Sequence, residues 1–322
     1  MSFQNVKSLV EPNLMKIKGV IGVGGTAEKI RIYVEGSPGF DALPRSIAGY
    51  AVEIVKVGHV KALSTMVQEQ ELAASLDAER MARIRPCLGG ISIGNPKITA
   101  GTLGTAISFG GTLYGLSNNH VLAAVSTLQA ARAKAGDVIL QPGRADGGSS
   151  PDDIIGTLYS YVPLNELGSN LVDCAIFKPT SPDMLSTDIL GLRPFNGSKK
   201  AEVEMQLVKS GRTSGVSTGK ALDIDATMSV DYGNFTATFK HQIVSDFMAS
   251  PGDSGSLTMD PLDNSAVGLV YAGSEYITMH NHIGDVFSAL TAGAIGPEGV
   301  PSRIRLMSVP FGVALMALVG VS

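Results

Sequence analysis

Short apolar segments separated by turn residues dominate the sequence after residue 87 and limit the folds open to it. About six such segments precede a glycine- and serine-bearing break near residues 191 to 200, and about six follow it. Representative segments are TLGTAISFG, GTLYGLS, NFTATFKHQI and AVGLVYAG. The chain also holds 38 glycines and no tryptophan, which favours many turns over long helices. The sequence therefore predicts a mainly β fold, built as two β-barrels or a large sandwich.

The first 65 residues follow a mixed pattern. The alternation of Ile30, Ile32 and Val34 is typical of a half-buried strand, and LPRSIAG suggests a short helix. We therefore expect a small α/β module over residues 1–65. Its GVGG stretch, Gly22 to Gly25, lacks the full glycine-rich fingerprint of a dinucleotide site and the helix that should follow it. We interpret it as a turn between strands.

Two further segments flank the β-rich region. Residues 66–87 are charged and alanine-rich with apolar residues at helical spacing, so we expect a helical linker that stops before Pro86. Residues 301–322 form an apolar C-terminal tail, with 16 uncharged residues from Leu306 to Val321. Because about 20 apolar residues are needed to cross a bilayer, we favour a buried strand or helix over a membrane tail.

Charge and cysteine content exclude several classes of function. The 25 basic and 29 acidic residues give a net charge of −4, and no basic run is present, so we expect no nucleic-acid partner. The N-terminus lacks the basic start and apolar run of a secretion signal, and Cys87 and Cys174 are the only cysteines. Both features predict a cytoplasmic protein with free thiols, while a disulfide between the two stays open.

His120 and Asp173 are the candidates for a general base and the carboxylate that orients it. A serine hydroxyl is a poor nucleophile unless an imidazole removes its proton, and that imidazole needs a carboxylate to fix its tautomer. Among five histidines, His120 lies best, at the end of an apolar strand in LYGLSNNHVLAA. Asp173 interrupts the apolar strand NLVDCAIF, where an unpaired charge would be costly. A protonated imidazole is the partner that would compensate the buried charge of Asp173.

The stretch SPGDSGSL, residues 250–257, supplies the nucleophile. Ser254 lies between glycines that allow a substrate to approach closely. The backbone N–H groups of Gly252 and Ser254 can converge on one point, which is what an oxyanion hole requires. We therefore predict Ser254 as the nucleophile and these two amides as the oxyanion hole.

LSNNHVLA, VDCAIF and GDSGSL occur in the order His, Asp, Ser, and in this the chain resembles trypsin-like (chymotrypsin-fold) serine peptidases of the bacterial intracellular type. The resemblance covers residues 88–292, about two thirds of the chain. It implies two six-stranded antiparallel β-barrels, over 88–190 and 200–292, within a protease domain of residues 88–300. It also implies a His120, Asp173 and Ser254 triad between the barrels.

The resemblance further implies where a substrate would bind. AVGLVYAGS is similar to the strand that flanks the specificity pocket in this family, so the backbone of Ala272, Gly273 and Ser274 is expected to bind the substrate chain. The base of the pocket is expected near Met248, with Ala249 beside it. Because no carboxylate occupies that place, we expect an apolar or small residue before the scissile bond.

Two departures from the family pattern raise questions. Many members carry a serine that hydrogen-bonds the catalytic aspartate, and Tyr271 stands in its place here. In animal members the counterpart of Asp253 pairs with a new N-terminus made by cleavage. The sequence leaves open whether Asp253 waits for such a switch.

We therefore expect a serine endopeptidase that acts on protein or peptide substrates through an acyl-enzyme, without metal or organic cofactor. The main alternative is a trypsin-fold protein that binds but does not cut, its site blocked by the apolar tail or the charged linker in a latent form. A metal at His280 and His282 lacks a third ligand nearby, so we interpret HNH as a polar loop. An α/β-hydrolase would need a second glycine where Ser256 stands.

Overall fold

A computed structural model describes residues 2–36, 43–63, 78–109 and 111–292. The C-terminal tail predicted at 301–322 lies outside the described residues, as do positions 66–77 of the predicted linker helix. Within the described ranges, no helix has the length and apolar character needed to cross a bilayer.

The described elements are mostly short strands. The helices are α1 (Phe3–Leu14), α2 (Ala78–Met81), α3 (Asn119–Leu122) and α4 (Ile283–Ala292). The strands of the first 102 residues are β1 (Val20–Gly25), β2 (Lys29–Val34), β3 (Ser46–Ile47), β4 (Tyr50–Lys56), β5 (Lys61–Ala62), β6 (Cys87–Gly89), β7 (Ser92–Ile93) and β8 (Gly101–Thr102). The next strands are β9 (Thr105–Phe109), β10 (Thr112–Ser117), β11 (Val138–Leu140), β12 (Ile154–Tyr161), β13 (Ser169–Asn170), β14 (Ala175–Pro179) and β15 (Leu185–Ile189). The last strands are β16 (Gln206–Gly211), β17 (Gly215–Asp231), β18 (Thr236–Asp246), β19 (Leu257–Met259), β20 (Ala266–Gly273) and β21 (Ile277–His282).

Two sheets hold most of these strands. One has five strands in the order β11-β12-β14-β10-β9, and the other has twelve and includes every strand from β16 to β21. The prediction of a mainly β fold is therefore confirmed. The pairing does not separate the described strands into two sets of six, so the division into two barrels stays a prediction.

The N-terminal strands extend the larger sheet. Strand β1 pairs antiparallel with β17, with Gly22 opposite Met228 and Val23 opposite Thr227. GVGG is thus a strand, and its interpretation as a turn was wrong. A Cβ on Gly22 would lie 2.0 Å from the Met228 sulfur, so glycine is what allows the two strands to approach.

The helix predicted in LPRSIAG is also absent from the part of that stretch that the structure describes. Ser46–Ile47 is β3, and it pairs with the start of β4 through a turn at Ala48 and Gly49, where φ is 49° and 90°. The helix of this region is instead α1, which packs Phe3, Val6 and Leu14 into a cluster with β1 and β2. Residues 2–36 and 43–63 therefore contain one helix and five strands, and a separate α/β module over residues 1–65 stays a prediction.

Apolar side chains of both sheets form the core around the site. One cluster lies under β17, β18 and β20 and contains Tyr232, Phe239 and Tyr271. A second cluster joins β9, β12 and β14 and contains Leu122 and Phe177. Cys87 and Cys174 are free and buried, and burial raises the pKa of the Cys87 thiol to about 11. Both are therefore structural thiols rather than nucleophiles.

Candidate active site

The end of β10 positions His120. The strand stops at Ser117, and His120 follows in the single turn of α3 with its imidazole fully buried. Its Nδ1 lies 2.5 Å from Oδ2 of Asp173, and its backbone N–H donates to Oδ1 of the same carboxylate at 3.2 Å. Because a carboxylate only accepts, Nδ1 must carry the proton. Nε2 is then left with a free lone pair.

That Nε2 is an unusual atom in a protein interior. It is buried and has no hydrogen-bond partner among the described residues. Buried polar atoms are nearly always paired, because leaving one unpaired costs about 1–3 kcal/mol. An imidazole held by one nitrogen and left open at the other is the arrangement of a general base awaiting its proton donor.

Asp173 lies just before β14 in a fixed position. Its backbone N–H donates to Oδ1 of Asn281 at 2.9 Å, and the side-chain amide of Asn118 donates to its carbonyl oxygen at 2.7 Å. The side chain is fully buried. Its carboxylate therefore depends on nearby donors for stabilisation.

Tyr232, at the end of β17, provides one of those donors, and the sequence did not reveal it. Its hydroxyl donates to Oδ2 of Asp173 at 2.7 Å. Burial, reinforced by the Asp173 charge, raises the pKa of Tyr232 well above its ordinary value, so the hydroxyl keeps its proton. Tyr232 thus gives Asp173 the hydroxyl donor that the sequence analysis left unassigned. The only sequence signal was a tyrosine in a DYG turn.

Ser254 lies in the loop between β18 and β19. Gly252 and Gly255 on either side adopt φ of 99° and 94°, which side chains other than glycine rarely adopt. The Ser254 hydroxyl donates to the carbonyl oxygen of Tyr271 at 3.2 Å. The Asp173 charge also contributes to raising the pKa of the buried Tyr271. The structure therefore joins His120 and Asp173 directly, while the Ser254 hydroxyl bonds to the Tyr271 carbonyl oxygen and not to His120.

Asp253 is already paired inside the protein. Its buried carboxylate lies 2.9 Å from Nζ of Lys209, which is also fully buried. It also accepts backbone N–H groups from Thr213 and Ser250, each at 2.8 Å. Burial alone would favour the neutral acid, but Lys209 and these donors hold the pKa of Asp253 below its ordinary value. Lys209 therefore supplies, from within the chain, the positive charge that balances the buried Asp253.

The residues predicted to bind substrate lie around a segment of this same chain. Strand β5 pairs antiparallel with β20, placing Ala62 opposite Ala272 and Lys61 opposite Gly273. Ala249 packs against the side chain of Leu63. Ser274 lines a neighbouring cavity of about 340 Å³ together with Lys61, Ala62 and Leu63.

Met248 lies apart from this group. Its side chain packs in a different apolar cluster, with Ile243 and Val267, and its backbone N–H donates to the Thr278 hydroxyl at 2.9 Å. The structure therefore brings Ala249, Ala272, Gly273 and Ser274 together, and directs the Met248 side chain elsewhere.

HNH is part of a strand. His280 and His282 both lie in β21, and the interpretation as a polar loop was wrong. His280 is buried between the hydroxyls of Ser245 and Thr258, each 2.8 Å from a ring nitrogen. Burial lowers the pKa of His280 to about 3. No group of three or more His, Cys, Asp or Glu side chains in the described part of the chain could hold a metal ion.

No family model matches the chain, and no curated protein matches it. Several solved structures do. Thermobifida fusca protease A is 21% identical with a TM-score of 0.44, over 62% of this chain and 94% of that one. Cellulomonas bogoriensis chymotrypsin is 19% identical with a TM-score of 0.43, over 65% and 97%. Nocardiopsis protease is 16% identical with a TM-score of 0.44, over 63% and 95%. Similarity at this level does not transfer a role from those proteins to any residue here.

Proposed function

We propose that the protein is a serine endopeptidase that hydrolyses peptide bonds through an acyl-enzyme. The observation that carries the proposal is the state of His120. Asp173 holds it at the backbone N–H and at Nδ1, and Nε2 is buried and unpartnered within the described structure. That geometry is what a base needs in order to take a proton from a serine hydroxyl.

Each residue then has a defined role. Ser254 Oγ attacks the carbonyl carbon and its proton passes to His120 Nε2, while Asp173 stabilises the imidazolium. The leaving amine takes that proton, and water hydrolyses the acyl-enzyme by the same route in reverse. The steps use only protein groups and water, so no cofactor is invoked.

The N–H groups of Gly252 and Ser254 are proposed as the oxyanion hole. The Gly252 N–H donates to a carbonyl oxygen, that of Leu63, at 2.7 Å. Each such donor contributes roughly 100- to 1000-fold to the rate in serine proteases. The internal pairing of Asp253 supports a loop that holds these amides in place without prior cleavage.

The finer expectations from the sequence belong to this proposal. They are two barrels over residues 88–190 and 200–292, a cytoplasmic enzyme of the bacterial intracellular type, and a protein or peptide substrate with an apolar or small residue before the scissile bond. The contact of Ala249 with Leu63 supports that preference. The enzyme is also proposed to be latent, because His120, Asp173 and Ser254 are all 0% exposed.

Covalent labelling by a fluorophosphonate probe tests the proposal. We expect one adduct by intact mass, formed slowly on the full chain because residues 61–63 cover Ser254. We expect none with Ser254→Ala, and labelling roughly 100- to 10,000-fold slower again with His120→Ala. Ser256→Ala is the matched control, since this buried serine of the same loop bonds to the Asp253 carbonyl at 2.6 Å and has no proposed role in catalysis. It should label as the wild type does.

Because Leu63 covers the cleft, the same measurement is made on Leu63→Asp. The aspartate side chain cannot enter an apolar pocket, so this variant leaves the cleft open. Absence of labelling in both the wild type and this variant would overturn the proposal and leave the non-catalytic binding protein. Equal labelling of Ser254→Ala would also overturn it.

A further inference from the structure

Residues 61–63 lie along β20 as an extended peptide. Lys61 and Ala62 pair antiparallel with Gly273 and Ala272, and the backbone N–H of Leu63 donates to the carbonyl oxygen of Tyr271 at 3.2 Å. This is main-chain pairing with the sheet edge that the sequence analysis expected to bind a substrate backbone. A peptide that adds a strand to an open edge gains its affinity in this way.

The carbonyl group of Leu63 points at the nucleophile loop. Its oxygen accepts the Gly252 N–H at 2.7 Å. Two residues further along the same loop, the Ser254 hydroxyl bonds to the Tyr271 carbonyl oxygen, which is also the acceptor of the Leu63 N–H. Leu63 and Ser254 therefore share the Tyr271 carbonyl oxygen as acceptor, and the Leu63 carbonyl oxygen lies on the proposed oxyanion donor.

The Leu63 side chain fills an apolar pocket. It is 5% exposed and packs with Ala249 and Val270. Its Cδ2 lies 3.6 Å from the point where a Cβ of Gly273 would be, so any larger residue at 273 would contact it. The pocket accepts a branched aliphatic side chain.

The chain upstream holds this segment in place. The backbone N–H of Asp231 donates to the Val60 carbonyl at 3.0 Å, and the His59 ring lies between Glu35 and Asp231, 2.9 Å from each carboxylate. Val60 and Ala62 are buried in the cluster that contains Tyr232 and Tyr271. Residues 61–63 are thus fixed on their N-terminal side, and the carbonyl group of Leu63 faces the loop that carries Ser254.

We propose that the protein cleaves its own chain at the peptide bond that follows Leu63, and that residues 1–63 then stay in the cleft as a bound product. The inference rests on the proposed serine-protease function. Ser254 Oγ leaves the Tyr271 carbonyl and forms a bond to the Leu63 carbonyl carbon, and its proton goes to His120. The C–N bond to residue 64 breaks, and the new amine takes that proton. Water then releases Leu63 as a carboxylate and returns the proton to Ser254.

The same contacts assign the substrate preference of the site. The pocket that seats Leu63 would seat leucine or a similar aliphatic residue of another protein once the segment departs. Until the segment departs, residues 61–63 keep such a residue out of the pocket. Self-cleavage and inhibition are therefore two outcomes of one binding mode.

Purified full chain, incubated and sampled over time by intact mass, tests the proposal. We expect two pieces, residues 1–63 and 64–322, with a rate independent of protein concentration. Ser254→Ala should remain uncut. Leu63→Asp should be cut at least roughly 100-fold more slowly, because a charge cannot enter the pocket without a large desolvation cost. Leu9→Asp is the matched control, since it places the same charge on an α1 side chain that is 67% exposed. It should be cut at close to the wild-type rate.

Fluorophosphonate labelling separates the two proposals. Labelling of Ser254 without a cut after Leu63 overturns self-cleavage and leaves the serine protease standing. A cut elsewhere overturns the assignment of Leu63, and a cut after Leu63 that persists in Ser254→Ala identifies a foreign protease. Failure of both labelling and cleavage, in the wild type and in Leu63→Asp, removes the function on which the inference rests.

Discussion

Substitution of Tyr232 by phenylalanine removes one hydroxyl that donates a hydrogen bond to Asp173. Asp173 accepts the backbone N–H of His120 at 3.2 Å, its Nδ1–H at 2.5 Å and the Tyr232 hydroxyl at 2.7 Å. Tyr232→Phe removes the third donor and leaves the ring in place. A hydrogen bond to a charged group contributes about 1.5–3 kcal/mol, so the full loss would slow the reaction roughly 10- to 150-fold.

The assay is hydrolysis of a chromogenic peptide with leucine before the scissile bond, measured in the Leu63→Asp background where the cleft is open. We expect kcat to fall and KM to stay the same, because Tyr232 contacts Asp173 and not the substrate. A purely structural role would lower the melting temperature and the amount of active protein without changing kcat per active site. Titration of active sites with the fluorophosphonate probe distinguishes the two.

Tyr271 provides the matched control. Its ring is also fully buried near Asp173, but its hydroxyl has no hydrogen-bond partner among the described residues. Tyr271→Phe should keep kcat and raise the melting temperature, because an unpaired buried hydroxyl costs about 1–3 kcal/mol. Wild-type kcat in Tyr232→Phe, or an equal fall in Tyr271→Phe, would refute the reasoning.

Three further predictions concern stability. Lys209→Met leaves the Asp253 carboxylate buried without its counter-charge, so we expect a loss of about 3–5 kcal/mol in denaturant unfolding. His280 has its pKa lowered from 6.5 to about 3 by burial, so the unfolded chain takes up a proton first as the pH falls. Stability from this group should drop between those two values, by up to about 1.4 kcal/mol per pH unit, and His280→Gln should remove that slope in thermal melts. Gly24→Ala places a Cβ 2.1 Å from Oδ2 of Asp223, so β1 must shift and limited proteolysis should release the N-terminal module sooner.

Each of these has a control within the chain. Lys220 forms an exposed ion pair with Glu204, so Lys220→Met should reduce the free energy of unfolding far less than Lys209→Met does. The pKa of His241 is raised by Asp285, so its contribution has the opposite sign: it is present below pH 6.5 and lost as the pH rises through the raised pKa. Gly36→Ala meets no atom within 4 Å, and only its φ of 74° opposes the change. Equal effects in variant and control would contradict the argument.

Local pattern predicted the strands and the approach of His120 to Asp173. An apolar strand shows its alternation locally, and a charge inside one demands a partner, which the few histidines of the chain could supply. Tyr232 was not predictable in this way, because it follows the end of β17 in a polar turn where a tyrosine needs no buried partner. That strand has 17 residues, far more than most of the other strands. Shifts of register near Ala221 and Ala226 let it continue where the pattern breaks.

The remaining errors have a common cause. The glycines of β1 are needed because Met228 and Asp223 pack closely against them. These partners are far away in the sequence: Gly25 donates a hydrogen bond to Asp223 across a separation of 198 residues. Strand β5 has only two residues, and Leu63 continues it by one. A segment this short shows no periodicity in the sequence. Contacts between distant segments determined both features, and a single sequence does not record them.

The ladder between β1 and β17 has a consequence for how the protein would behave once nicked. Cutting after Leu63 removes a covalent bond but leaves this ladder and the contacts of α1 with β17, Lys7 with Asp225 and Glu11 with Thr227, intact. The cut segment would then compete with a substrate at an effective concentration in the millimolar range, set by geometry and unchanged by dilution. Release of activity would therefore follow the opening of the N-terminal strands and not the strength of the three-residue contact in the cleft. The rate at which β1 separates from β17, and not the rate of the cut, would set the rate of activation.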